Sequence, residues 1–231
     1  MSLLQSVQAA SLGTTQLFST AKGLFDSGEY DSSKEVLKLA LQNIPLSDAK
    51  NYSICLQDMA LIEYLNFNFV EAEKLYEQAL QITEAESADT LDAVTILYGI
   101  GRCKRRQKKW EEAEPILDRV ISLRSKLLGD EHRLVSNSSL DLAINFDRQG
   151  KFAQAEPYYL KTLAIREKLW GKQSLGLTAV LEDYSKMLRK MGNNAPAAEL
   201  ESRISQLRIN GHEQAARPLE GESSGWLHLC P

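Results

Sequence analysis

Residues 150–157 read Gly-Lys-Phe-Ala-Gln-Ala-Glu-Pro, and this stretch decides the fold because its pattern recurs along the chain. An aromatic residue followed by Ala three positions later and Glu four positions later also occurs at 110–114 and at 69–73. A degenerate copy begins at Tyr30, and a fifth unit fits the same frame from Gly192. The four aromatic residues are 39, 41 and 42 positions apart. Spacing this regular indicates a structural repeat, so the chain is predicted to be an array of similar units.

Each repeat is predicted to contain two helices joined by a short turn. Apolar side chains recur every three or four positions on both sides of Gly150, as they do on a helix with one buried face. They are Leu140, Ala143, Ile144 and Phe146 before the turn, and Phe152, Ala155, Tyr159, Leu163 and Ile165 after it. Gly150 is expected to end the first helix because glycine readily takes the left-handed conformation. Pro115 and Pro157 are expected in the first turn of second helices, where a backbone N–H has no partner.

The repeat resembles the tetratricopeptide repeat, and its 42-residue length is similar to the version found in kinesin light chains. The segments that carry the resemblance are residues 123–132, 150–171 and 180–204. No run with the period-two alternation of a strand competes with the helical pattern. The resemblance implies an all-α fold, a right-handed α-solenoid of about five helix-turn-helix repeats within residues 15–209. Residues 1–14 then form an N-terminal extension, and residues 210–231, which contain many turn formers, a flexible tail.

Composition limits the class of protein. Hydrophobic residues make up 43% of the chain, which is enough for a folded core. No run of about 18 apolar residues occurs, and the first residues lack the pattern of a secretory signal, so no membrane insertion is expected. Cys55, Cys103 and Cys230 form no CxxC pair, which favours a reducing, cytoplasmic location. A net charge of −4 argues against a nucleic-acid partner.

No set of residues points to catalysis. A glycine-rich phosphate loop would have to follow a strand, and Gly99 and Gly101 lie instead within a helical pattern, where they are expected to serve packing. The serines lack the surroundings of a nucleophile elbow. Only three histidines occur, His132, His212 and His228, which makes a histidine-rich metal site improbable. We therefore expect a protein that is not an enzyme and that holds neither a metal nor a cofactor.

The strongest local charge signal lies at residues 102–109, where six of eight residues are Lys or Arg. One interpretation is a solvated helix end, where the helix dipole favours cations and the following glutamates balance them. The other is a binding surface, because tetratricopeptide arrays line their concave groove with the first helix of each repeat. The groove residues that the resemblance implies are Tyr98, Arg102, Arg105, Arg106, Asn137, Asp141, Arg148, Asp183, Lys186 and Arg189. The sequence leaves both interpretations open.

Arginine side chains pair with carboxylates, so a basic groove would favour an acidic segment of a partner protein. Exposed ion pairs contribute only about 0.2–1 kcal/mol each. Micromolar binding needs about 8 kcal/mol, so an apolar anchor must contribute as well. Phe18, Phe25, Leu61 and Tyr64 fall on groove positions by the same alignment. They either supply that anchor or pack beneath the N-terminal extension.

The expected function is a non-enzymatic scaffold or adaptor that binds a peptide segment of another protein in the concave groove. The alternative is a regulatory receptor in which a bound peptide changes the pitch of the solenoid. RNA binding would need base-reading side chains at equivalent repeat positions, and Tyr98, Leu140 and Glu182 form no such set. No nucleic-acid partner is therefore expected.

The tail carries one distinctive group, in which Trp226 follows Glu220 and Glu222. A tryptophan near acidic residues resembles the short peptides that kinesin light chain grooves accept. The hypothesis is that the tail binds to the groove of its own molecule or of a neighbour, and the alternative is a tail without a role.

Overall fold

The structure is a computed structural model that describes residues 13–45, 47–86 and 90–214. These residues form α-helices and the turns between them, with one short 3₁₀ helix at Leu175–Leu177 and no strand. The helices are α1 (Thr14–Asp26), α2 (Tyr30–Asn43), α3 (Ala49–Leu65), α4 (Phe69–Glu86), α5 (Leu91–Arg106), α6 (Trp110–Leu128), α7 (Arg133–Arg148), α8 (Phe152–Trp170), α9 (Thr178–Lys190) and α10 (Asn194–Gln214). The predicted all-α fold of five helix-turn-helix repeats is confirmed.

The described residues divide into two compact units, 13–107 and 108–214. The first unit contains α1 to α5, and the second contains α6 to α10. Within each unit every helix packs against the next one along the chain. Each unit is therefore a stack in which neighbouring helices cover one another's apolar faces, as in other repeat proteins.

The turn inside each repeat contains one residue with left-handed backbone. These residues are Gly28 (φ +82°), Phe67 (+64°), Lys108 (+64°), Gly150 (+73°) and Gly192 (+79°). The prediction that Gly150 ends its helix in this conformation is confirmed. A residue other than glycine pays about 1–2 kcal/mol for left-handed backbone, so Phe67 and Lys108 hold strained positions.

The small residue of the repeat pattern is buried in every repeat. Ala72, Ala113, Ala155 and Ala197 have no exposed surface. The first repeat has Ser33 at this position, and its side chain is equally buried. Its hydroxyl donates a hydrogen bond of 2.7 Å to the carbonyl oxygen of Ala21, so the buried polar group is satisfied.

Two details of the predicted helices are wrong. Pro115 and Pro157 were expected in the first helical turn, but α6 and α8 begin at the aromatic residue of the pattern. Each proline is consequently the sixth residue of its helix, where it removes an N–H that would otherwise bond within the helix. The helices continue through these positions because each proline lies only about one turn from the helix N-terminus. Helices tolerate proline best near that end.

The described helices begin and end as follows. Helix α1 begins at Thr14, and α10 continues to Gln214, beyond the boundary expected at 209. Trp226 and the remainder of the expected tail lie outside the described residues, as do residues 1–12. None of the described helices is both long enough and apolar enough to cross a membrane.

Candidate functional site

Six side chains of the first unit form a continuous strip of rings and guanidinium groups, which we call the aromatic-arginine strip. Its members are Tyr64, Phe67, Phe69, Tyr98, Arg102 and Arg106. The first three come from the end of α3, the following turn and the start of α4. The other three lie on α5 at intervals of four residues, so they share one face of that helix.

Each arginine of the strip lies against two rings. The Cζ atom of Arg102 is 4.4 Å from the ring centre of Tyr64 and 5.6 Å from that of Tyr98. The Cζ atom of Arg106 is 4.9 Å from the ring centre of Phe69 and 5.9 Å from that of Phe67. At exposed sites such cation–π contacts contribute about 0.5–1 kcal/mol each. They restrict the two arginine side chains before any partner binds, which lowers the entropy lost on binding.

Edge-on ring contacts join the two halves of the strip. The ring centres of Tyr64 and Phe69 are 5.3 Å apart, and those of Phe67 and Phe69 are 6.1 Å apart. Arg106 is exposed, and no carboxylate of the described residues lies within ion-pairing distance of it. Its guanidinium therefore keeps donors for a carboxylate supplied from outside the unit.

Other members of the basic run have a structural role. Nζ of Lys104 lies 2.6 Å from Oε1 of Glu73, and both side chains are largely buried. The side chain of Gln107 also donates to Glu73 and, at 3.3 Å, to the backbone oxygen of Phe69. These contacts hold the end of α5 on α4. Arg105 is partly buried beside them. Lys104 is thus held within the fold by Glu73, which neither interpretation of the run expected, whereas Arg106 faces solvent.

In the second unit, the predicted site residue Arg189 is engaged within the fold. Its Nε and Nη2 atoms donate to the two carboxylate oxygens of Glu201 at 3.1 and 2.7 Å, and Nη1 donates to Asn194 at 3.1 Å. The neighbouring Lys190 lies 2.8 Å from the carboxylate of Asp147. The positive charges of Arg189 and Lys190 are therefore balanced locally.

The remaining predicted residues of the second unit form a surface of mixed charge. Asn137 accepts a hydrogen bond of 3.0 Å from Arg166, and Asp141 is buried. Burial raises the pKa of Asp183, and Lys186, 3.9 Å away, opposes that rise. Carboxylates and cations are equal in number here, namely Asp141, Asp147, Glu182 and Asp183 against Arg148, Lys186, Arg189 and Lys190. This surface provides no net attraction for an acidic segment.

The four candidate apolar anchors differ in how far their side chains are buried. Phe18 and Phe25 are buried in the first unit, so neither ring is exposed to a partner. Leu61 is partly exposed, and Tyr64 belongs to the strip. The predicted packing beneath residues 1–12 lies outside the described residues.

Sequence reasoning missed Phe67 and placed Phe69 only as a residue of the repeat pattern. The signal for Phe67 was present, because the repeat alignment puts it at the position of Gly28, Gly150 and Gly192. A large apolar side chain where three repeats have glycine is a departure that packing within the repeat does not require.

The described residues contain no group of three or more His, Cys, Asp or Glu side chains arranged to hold a metal. Cys55 and Cys103 are buried, and burial raises the pKa of each thiol to about 12. Such thiols are unreactive at neutral pH because the thiolate is the reactive form.

The comparisons with known proteins concern the repeat pattern and the fold. The sequence pattern of the tetratricopeptide repeat family matches residues 54–87 and 92–168. No curated protein sequence gives a significant match. Among solved structures, BtubC (BKLC) from P. vanneervenii is 18% identical, with a TM-score of 0.75 over 91% of this chain and 84% of that one.

Two further structures share the fold. A kinesin light chain protein of Podosopora anserina with nearly identical tetratricopeptide-like repeats is 17% identical, with a TM-score of 0.71 over 88% of this chain and 96% of that one. A Rap protein in complex with competence and sporulation factor is 15% identical, with a TM-score of 0.67 over 86% of this chain and 54% of that one. At these identities the similarity concerns the fold alone.

Proposed function

Because this chain is a tetratricopeptide repeat protein with the fold of kinesin light chain-like repeats, we propose that it is a non-enzymatic scaffold that binds a segment of another protein. The aromatic-arginine strip is the observation that carries the proposal. It combines the apolar anchor and the cations that peptide recognition needs, and it joins them through direct contacts. A cytoplasmic location is part of the proposal and rests on the cysteine usage of the sequence.

The residue types of the strip are those that dominate binding energies. Tyrosine and arginine are enriched among interface residues whose truncation costs 2 kcal/mol or more, whereas rim charges contribute little. Exposed ion pairs of about 0.2–1 kcal/mol cannot alone supply the roughly 8 kcal/mol of a micromolar complex. The rings of Tyr64, Phe69 and Tyr98 provide the missing apolar contact. The preferred ligand is a segment that carries an apolar side chain next to one or more carboxylates.

The other predicted residues extend this proposal. Arg105 adds positive charge beside the strip, and the mixed-charge surface of the second unit selects among partners. Its members are Asn137, Asp141, Arg148, Asp183, Lys186 and Arg189. A surface of balanced charge disfavours a uniformly acidic segment, because its carboxylates meet Asp183 as well as the cations.

Affinity purification with mass spectrometry tests the proposal, with the full chain and a variant carrying Arg102→Glu and Arg106→Glu. The matched control is Arg119→Glu, because Arg119 is exposed on α6 and lies outside the strip. The partner segment recovered with the unmodified chain is then synthesised, and its affinity for each purified protein is measured by calorimetry. We expect the double variant to lose at least about tenfold in affinity, which corresponds to 1.4 kcal/mol, and the control to bind normally. A partner list and affinities that survive the double reversal would contradict the proposal.

The second candidate is a regulatory receptor. The Rap protein with the similar fold was solved in complex with competence and sporulation factor, so a chain of this fold can hold a signalling factor. Small-angle X-ray scattering with and without the recovered partner segment distinguishes the two functions. A scaffold keeps its scattering profile, whereas a receptor changes it.

A further inference from the structure

A cavity of about 230 Å³ lies in the second repeat, between α3 and α4 and beside the start of α5, and we call it the repeat-two cavity. Its polar lining residues, all in the first unit, are Lys50, Ser53, Gln57, Thr83, Thr90 and Asp92. Typical small-molecule pockets enclose roughly 300–1,000 Å³. The repeat-two cavity is smaller, so it has room for a single side chain rather than for a whole cofactor.

Three other repeats carry an arginine where the second repeat has Thr83. This position lies fourteen residues after the first residue of the second helix, and it is Arg124, Arg166 and Arg208 in the third, fourth and fifth repeats. The first repeat has Ile44 there, and its side chain is buried. Threonine is much shorter than arginine, so it cannot reach as far from the helix as the side chains of the later repeats do.

The contacts of these arginines show which space the longer side chain takes. Each arginine donates a hydrogen bond to a residue whose counterpart in the repeat alignment lines the repeat-two cavity. The acceptors are Leu134 (with Arg124), Asn137 (with Arg166) and Glu182 (with Arg208). Their counterparts are Asp92, Ile54 and Gln57. The repeat-two cavity therefore corresponds to the space into which the later repeats direct a guanidinium group.

The polar groups of the cavity wall offer mostly acceptors. The hydroxyl groups of Ser53 and Thr83 are 2.8 Å apart, and they lie 3.2 and 2.9 Å from the carbonyl oxygen of Ala79. Both hydroxyl protons are therefore used inside the fold. The side-chain amide of Gln57 donates to Ser53 at 3.4 Å, which leaves the amide oxygen of Gln57 as an acceptor. A ligand that fits this wall has to bring donors.

Hydrogen bonding selects the ligand more sharply than charge does. One carboxylate residue, Asp92, and one lysine, Lys50, both line the cavity, although Lys50 is exposed and water weakens its effect on a bound cation. A guanidinium group has five N–H donors in a planar arrangement and no acceptor. It matches a wall of acceptors better than a carboxylate or a neutral amide does, and it is the group that three other repeats place here.

We propose that the repeat-two cavity binds the arginine side chain of a partner protein. The guanidinium group donates to the amide oxygen of Gln57 and to the hydroxyl oxygen of Thr83, and it supplies from outside the group that this repeat lacks. Such a site rests on the proposed scaffold function, because the arginine comes from a partner. It adds a contact of opposite charge to that function, since the aromatic-arginine strip binds carboxylates and the cavity binds a cation.

Nuclear magnetic resonance titration of the full chain with a blocked arginine, N-acetyl-arginine methylamide, tests the proposal. Blocked citrulline has a similar shape without the charge, and blocked lysine has the charge without the planar fork. We expect blocked arginine to shift the backbone amide signals of residues 53–57 and 82–83. The affinity should be about tenfold lower for the other two compounds, because charge-assisted and bidentate hydrogen bonds are the stronger ones.

Thr83→Arg is the decisive variant, because it places in the cavity the residue that three other repeats carry, and it should abolish the shifts. The matched control is Gln81→Arg, which adds the same charge at an exposed position of α4 outside the cavity and should bind blocked arginine normally. Thr83→Val serves as a second variant, since it keeps the shape but removes the acceptor, and it should weaken binding about threefold or more. Thermal unfolding midpoints within about 4 °C of the unmodified chain show that each variant is folded.

The absence of shifts at these signals with blocked arginine would overturn the proposal. Equal affinity for blocked lysine would overturn it as well, because the cavity would then accept any cation. Binding that persists unchanged in both Thr83 variants would mean that the ligand lies elsewhere. None of these results bears on the aromatic-arginine strip, because the variant with Arg102→Glu and Arg106→Glu tests the strip through partner affinity and should still bind blocked arginine.

Discussion

Glycine lowers stability at one exposed position of this chain and raises it at another, because the two positions have different backbone conformations. Gly23 lies inside α1, whereas Gly150 has φ +73° in the turn of the fourth repeat. A Cβ atom added at either position meets no atom within 4 Å, so packing does not contribute. Gly23→Ala should raise the free energy of unfolding by about 0.5–1 kcal/mol, and Gly150→Ala should lower it by about 1 kcal/mol. Urea denaturation measures both changes, and a shift of the same sign in the two variants would refute the argument.

Asp58 is a carboxyl group that the fold leaves without a compensating partner. It is 4% exposed in α3, and no hydrogen-bond donor of the described residues reaches its Oδ2 atom. Burial raises its pKa well above the usual range, and the charge of Lys22 opposes the rise only in part. The folded protein consequently holds the Asp58 proton more tightly than the unfolded chain does.

This raised pKa makes stability depend on pH. Between the ordinary pKa of Asp and the raised one in the folded chain, the contribution of Asp58 to stability decreases as the pH rises. Asp58→Asn removes the ionisation, so it should stabilise the protein by at least about 1 kcal/mol at pH 7.5 and have little effect near pH 4. Urea denaturation at the two pH values measures the difference. The idea fails if Asp58→Asn destabilises the protein equally at both.

At the scale of helices, the sequence predicts what depends on local spacing. The period of about 42 residues located all five helix pairs, and the alanine of the pattern is buried in four of them. The pairing of charges was not predictable. Lys104 pairs with Glu73, and Arg189 pairs with Glu201, each across two helices. Only the three-dimensional packing brings these carboxylates to their partners and keeps every carboxylate of the described residues away from Arg106.

The approach of α4 to α5 depends on Gly99. A Cβ atom at this position would lie 2.7 Å from the ring of Tyr76, which is buried between the two helices. Gly99→Ala should therefore destabilise the first unit by about 1–3 kcal/mol, even though alanine is the better helix former. Chemical denaturation checks this, and Tyr76→Leu in the same chain should recover part of the loss because it removes the ring. Additive effects of the two substitutions would show that the clash is absent.

At the scale of the whole molecule, the net charge of −4 and the strip act in opposite directions on an acidic partner. The net charge repels such a partner weakly, because salt screens exposed charges beyond about 8 Å at physiological ionic strength. Arg106 acts at contact distance, where screening is small. The local arrangement of charge, and not the total, is therefore expected to determine affinity.

Two substitutions separate these contributions, since Arg106→Gln and Arg119→Gln change the net charge by the same amount. Arg106→Gln removes a cation that contacts the rings of Phe67 and Phe69, whereas Arg119 is exposed on α6 and belongs to no strip. Affinity for the partner segment should fall about three- to tenfold in Arg106→Gln and less than about twofold in Arg119→Gln. Calorimetry at low and physiological salt measures both constants, and the difference between the variants should persist as the salt concentration rises. Equal losses that disappear together in salt would instead mean that the total charge governs binding, and the strip would then have no special role.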